Sequence, residues 1–220
     1  MASLRTVAAV AVLLLLWGGT ARADGLTIVV FGDSSTFGSG PGGRGGRTGQ
    51  TGGVPFSEAF AAKLQTALRA NGWNVSVLDA SAPGKLAVGA GALIPTQVPA
   101  GTKLTIVALG ATDINYRHAS KEEIAFGLNN VVNALHTRGS LVILVRRWPG
   151  DTGAALAAVT ANADAYVDWW NGLIVVPGIA RPEYDSGDGE HLNSTGVDIL
   201  ISRAVPDIEK VLSAHGIRSG

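Results

Sequence analysis

Two short segments carry side chains suited to nucleophilic chemistry. Gly32-Asp33-Ser34-Ser35 comes directly after the apolar run Leu26 to Phe31. A serine in a tight turn after a buried strand projects its hydroxyl at the carboxyl edge of a sheet. The same residues also suit a plain turn in which Asp33 or Ser34 is only a cap. The second segment is Asp188-Gly-Glu-His191, followed by Leu-Asn-Ser-Thr-Gly196. An aspartate three residues before a histidine can turn back to accept its Nδ1 proton. That fixes the tautomer and leaves Nε2 to take a proton from a serine. A loop aspartate and a surface histidine near a helix start are the plainer alternative. Of the other histidines, His136 and His215 read as surface residues, and His118 follows a strand end closely enough for a reserve role.

Composition narrows the remaining chemistry. The 220 residues fit one domain of ordinary size, and 46% hydrophobic against 15% charged residues excludes general disorder. Lys plus Arg equals Asp plus Glu at 17 each, with no basic run, so nucleic acid is not an expected partner. Cysteine is absent, which removes disulfides, thiolate-bound zinc and thiol nucleophiles. Residues 1–23 read as a secretory signal peptide: Arg5, an apolar run from Val7 to Trp17, and Ala21-Arg-Ala23 as the cleavage site. Eleven apolar residues are too few for a permanent membrane span. Export from a bacterium, to periplasm or medium, is the expectation, with 24–220 as the single mature domain.

Positioning these groups falls to strands and helices that alternate along the chain. Leu26–Phe31, Val75–Leu78, Leu104–Leu109, Leu141–Val145 and Leu173–Val176 read as strands. Between them, helices are expected from Phe56 to Asn71 with Gly72 at its end, from the capping box Ser120-Lys-Glu-Glu123 to about Arg138, and from Gly153 to about Trp169. A last helix is expected from about Ser194 to His215. This alternation predicts an α/β fold, a parallel sheet with helices on both faces. In such sheets sites form where strand carboxyl ends meet their loops. Ala80-Ser-Ala-Pro-Gly84 and Gly110-Ala-Thr-Asp113 also follow strand ends, and glycine turns supply the backbone N–H groups an oxyanion hole requires.

Together these four blocks resemble the SGNH/GDSL hydrolase superfamily, in particular its bacterial thioesterase I/lysophospholipase/arylesterase branch. FGDSSTFGSG at 31–40 is similar to the nucleophile block and Pro83-Gly84 to the glycine block. GATD at 110–113 is similar to the third block, normally Gly-x-Asn-Asp, and DGEHLNSTG at 188–196 to the Asp-x-x-His block. The resemblance implies a three-layer α/β/α sandwich with five parallel strands in flavodoxin-like order. It implies Ser34 as nucleophile, His191 as base and Asp188 as its orienting partner. The N–H groups of Ser34 and Gly84 would hold the oxyanion, with Asp33 and Asp113 in support. Thr112 stands where the family has its asparagine donor, and Asn115 and Asn193 are the nearest substitutes in sequence. The implied activity is hydrolysis of small acyl esters or thioesters through an acyl-serine, with no cofactor and no metal. Lipid and glycan esters are among the candidate substrates. The alternatives are a polysaccharide O-acetyl esterase and a catalytically weakened binding protein that kept the fold.

Gly38 to Gly53 holds nine glycines with Arg44 and Arg47. Gly38-Ser-Gly-Pro-Gly-Gly43 formally fits a dinucleotide fingerprint, but no helix opens behind it, so a mobile loop beside the serine is the better reading. It is expected to act as a lid or to be passive surface. Trp169-Trp170 reads most simply as core packing, with an acyl or sugar pocket as the alternative.

Overall fold

The computed structural model describes residues 25–38, 54–146, 159–176 and 178–219. The leader expected at 1–23 lies outside them, as does the glycine-rich loop beyond Gly38. Four of the expected strands form: β1 (Leu26–Gly32), β2 (Val75–Asp79), β3 (Leu104–Ala108) and β4 (Leu141–Val145). A fifth, β5 (Ala165–Val167), completes an all-parallel sheet of order β2-β1-β3-β4-β5.

Period-two alternation sorts the strand side chains into two cores. Ile28, Val30, Leu104, Ile106, Ile143 and Val145 face α2 (Phe60–Ala70) and the long C-terminal helix Ser194–Ala214. Val29, Phe31, Val107, Val142 and Leu144 face the other side, where α5 (Lys121–Thr137) packs with the segment 87–98. Each of these side chains contributes on the order of 1.5–3 kcal/mol by burial, which makes the sheet a rigid base for its loops. The result is the expected three-layer sandwich. Three shorter helices are also present among the described residues, α1 (Ser34–Phe37), α3 (Ile94–Gln97) and α4 (Ala111–Arg117), and the C-terminal helix is labelled α6.

Three expectations are corrected. The fifth sheet strand is Ala165–Val167, inside the stretch expected to be helical from Gly153 to Trp169. Of that stretch residues 159–162 are helical and 153–158 lie outside the described residues. An alanine-rich segment favours helix locally, and a three-residue strand carries no alternation, so only pairing with β4 reveals it. Leu173–Val176 does not join the sheet. Its residues form β6 (Ile174–Val176), which pairs antiparallel with β7 (Ile179–Ala180) in a separate ribbon. The helix expected from Phe56 begins only at Phe60: 56–58 is a 3₁₀ turn, Ala59 is extended, and Phe56 is 63% exposed. Trp169 and Trp170 are buried in the α2/α6 core, and Trp169 stacks on Phe60 at 6.0 Å between ring centres.

Candidate active site

β1 ends where the strand order reverses between β1 and β3, the place where parallel sheets leave a crevice. Asp33 leaves the strand and caps α1, accepting from Ser35 N at 3.0 Å and Ser35 Oγ at 2.8 Å. Ser34 is thereby the first residue of a helical turn, half-buried at the sheet's edge. Gly32 is required beneath it: a Cβ there would stand 2.0 Å from Thr36 Oγ1.

The loop between β7 and α6 supplies the partners. Asp185 Oδ1 accepts from Gly187 N and Gly189 N, and Asp188 Oδ1 accepts from Glu190 N and His191 N, all at 2.9 Å. These turns roll the chain so that Asp188 Oδ2 meets His191 Nδ1 at 2.7 Å. His191 Nε2 in turn lies 2.8 Å from Ser34 Oγ. Behind the loop, Asn193 caps α6 by accepting from Gly196 N and donates to the carbonyls of Glu183 and Asp185. Lys63 of α2 holds the same helix start, donating to Ser194 Oγ at 2.7 Å and to Asp198. Burial pushes the Asp188 carboxyl up, but the His191 and Glu190 amides and the imidazole push it down further. Its pKa therefore lies below the ordinary carboxylate value, and it stays ionised at neutral pH.

The loop after β2 runs beside this turn. Ala80 N donates to Val30 O and Ala82 N to Gly32 O, and Thr36 Oγ1 meets Ser81 Oγ at 3.0 Å. Gly84 follows at φ +75°, exposed and with open space where a Cβ would stand. Asp113, fully buried at the start of α4, accepts from Ala87 N at 2.7 Å and Val88 N at 3.1 Å, tying the far end of that loop to β3. Thr112 is also buried, but its hydroxyl donates to Asp33 Oδ2 at 3.3 Å. A hydroxyl has one proton, so in this state it has none for an oxyanion. Asn115 packs against Gly178, and Asn193 is committed to its cap.

Ser34, His191, Asp188, Asp33 and Thr112 thus form one connected set, with Gly84 on the adjoining loop and Asp113 of α4 holding that loop's far end. His118 lies outside it, exposed in the left-handed C-cap of α4. His136 and His215, expected at the surface, both meet Asp164, at 2.9 and 3.5 Å. A cavity of about 710 Å³ lined by Gly25, Trp73, Lys103 and Arg218 lies at the amino ends of the strands, away from Ser34. Two features have no local signal in the sequence because each joins distant segments. Tyr116 of α4 donates to Glu190 Oε2 at 2.6 Å across the site, a bond that pushes its phenol up to about 12. Lys85 lies buried under the Gly84 loop.

The sequence matches no family model and no curated protein. Solved structures do match the fold. TesA superposes with a TM-score of 0.65 at 23% identity, over 84% of this chain and 99% of its own. The psychrotrophic esterase EstA from Pseudoalteromonas sp. gives 0.64 at 16% identity, over 85% and 98%. AlinE4, an SGNH-hydrolase family esterase, gives 0.60 at 24% identity, over 87% and 99%. With its sheet order, its layers and these neighbours, the chain has the SGNH/GDSL hydrolase fold.

Proposed function

We propose that the protein is a serine esterase that hydrolyses small acyl esters or thioesters through an acyl-Ser34 intermediate. The observation that carries this reading is the unbroken chain Ser34 Oγ–His191 Nε2–Asp188, with links of 2.8 and 2.7 Å. Ser34 Oγ attacks the carbonyl carbon while its proton passes to His191 Nε2. The carbonyl electrons move onto oxygen, and the N–H groups of Ser34 and Gly84 receive that charge. Collapse breaks the bond to the leaving alkoxide or thiolate, which takes the proton from His191. Water then repeats the sequence on the acyl-serine and releases the acid. Asp188 holds the imidazole with Nδ1 protonated and stabilises the imidazolium formed in each half-reaction. Supporting the reading, the fold neighbours include esterases, and EstA is described as inhibited by monoethylphosphonate.

Thr112 favours a second reading. With its proton on Asp33, two backbone donors remain for the oxyanion, which suits a weakened catalyst or a binding protein. The leader-like sequence at 1–23 supports action outside the cytoplasm, and no helix among the described residues is long and apolar enough to cross a membrane. The test is hydrolysis of p-nitrophenyl esters of increasing chain length, an acyl thioester and acetylated xylan, by the protein and by Ser34→Ala. The esterase reading expects turnover on at least one short ester and none by Ser34→Ala. Binding without turnover on every substrate supports the second reading.

A further inference from the structure

Lys85 follows Gly84 directly and is the one buried basic side chain among the described residues, 8% exposed. Its Nζ sits 3.9 Å from the centre of the Phe31 ring. It donates to the carbonyl of Ala80 and, at 2.7 Å, to Gln97 Oε1 of α3. Ala80 opens the loop that carries Gly84 and Lys85 closes it, so the side chain reaches back and joins the loop's two ends. The Lys85 amide, donating to Ala82 O, tightens the same ring. A buried ammonium is costly, and a methionine would fill similar volume without that cost. The cation therefore calls for a role other than packing. Gly84 itself is exposed, at φ +75°, one residue before the clamp.

We propose that Lys85 is a positioning residue, whose ammonium holds the Ala80–Lys85 loop closed and so fixes the Gly84 N–H relative to Ser34. The proposal rests on the esterase reading, in which that N–H receives the oxyanion. Among the described residues, Asp79 at the end of β2 and Asp33 after β1 are the charged groups that act on the lysine, and Gln97 of α3 is neutral. Burial pushes the ammonium down to about 8, against the pull of those two carboxylates. Above that pH the amine loses its attraction to both carboxylates and to the Phe31 ring face, and its hydrogen bonds weaken. Turnover should therefore fall as the lysine deprotonates.

The experiment follows kcat and KM on a p-nitrophenyl ester from pH 6 to 9.5, for the parent, Lys85→Met, Lys85→Arg and Ser34→Ala. The parent is expected to lose kcat through an inflection near pH 8, with little change in KM. Lys85→Met should have kcat lower by roughly 10–100-fold at pH 7, the scale of a donor misplaced by about an ångström, and no inflection. Lys85→Arg should keep more activity and also lack the inflection, because a guanidinium holds its proton. A parent kcat that stays level to pH 9.5, or a Lys85→Met enzyme within about 3-fold of the parent, overturns the proposal. If Lys85→Met does not fold by circular dichroism, the parent profile and Lys85→Arg decide. Hydrolysis that survives Ser34→Ala overturns the esterase reading, and this inference with it. An inert Ser34→Ala beside unaffected lysine variants overturns this inference alone.

Discussion

Asp188→Asn changes one atom that matters. Asp188 Oδ1 accepts two backbone amides at 2.9 Å each, and the asparagine must keep an oxygen there, since an NH₂ group would face two donors. The altered atom is then Oδ2, 2.7 Å from His191 Nδ1. An NH₂ at that point makes Nδ1 the acceptor and moves the ring proton to Nε2, the nitrogen facing Ser34 Oγ at 2.8 Å. In that tautomer the ring cannot take the serine proton. A charge-assisted hydrogen bond is also lost, about 1.5–3 kcal/mol. Together these lower kcat by about 10³–10⁴, the scale of tautomer inversion in a serine triad. Because the turn survives, thermal unfolding should barely move. Asp188→Ala removes both amide bonds as well, about 2 kcal/mol together or roughly 4–8 °C in Tm. The Asp188 carboxyl is held below its ordinary value, so its stabilisation is present above the carboxylate range and disappears as pH falls through its folded value. The Tm gap between parent and Asp188→Ala should accordingly narrow in acid. The assays are ester hydrolysis and calorimetry. An Asp188→Asn enzyme within about 10-fold of the parent, or one as unstable as Asp188→Ala, would refute this reasoning.

Three further outcomes are expected. Thr112→Asn should raise kcat, by roughly 10-fold or more, because an amide carries two protons and can serve both Asp33 and the oxyanion; steady-state kinetics at equal Tm checks it. Ser34→Ala and His191→Ala should each lose nearly all activity and the double variant little more, whereas additive losses would separate the two residues. Gly32→Ala should lower stability by about 1–3 kcal/mol, measured by urea titration, with part recovered by adding Thr36→Ala to remove the hydroxyl it meets at 2.0 Å.

The parts legible in the sequence are those written in contiguous residues. β1, β3 and β4 are each built on a run of four or more apolar residues, β2 is a shorter β-branched stretch, Val-Ser-Val-Leu, and α5 announces its start with the Ser120/Glu123 box, which is present in full. The glycine-bearing turns after β1, β2 and β3 stand at strand carboxyl ends because the strands themselves are unambiguous. β5 was hidden because Ala-Tyr-Val has no pattern of its own and is made a strand by β4. The run Leu173–Val176 is β-prone in composition, yet its partner is Ile179–Ala180, a pairing that local propensity does not specify. Within the site, the Asp188/His191 spacing could be read because three residues suffice to form the turn. The Thr112–Asp33 bond, the Tyr116–Glu190 bond and the Lys85 clamp each join segments set by the fold, so the sequence carried the residues without their partners.

The acyl-Ser34 intermediate is tested most directly by covalent capture. A reactive alkyl phosphonate ester should add its phosphorus to Ser34 Oγ with loss of the leaving group, giving an adduct that deacylating water does not clear. Peptide mass spectrometry should then find one phosphonyl group per chain, on Ser34, with esterase activity lost in proportion. Ser34→Ala should take up none. Modification elsewhere, on Ser35 above all, or full hydrolysis by a protein that Ser34 labelling leaves active, would contradict the account.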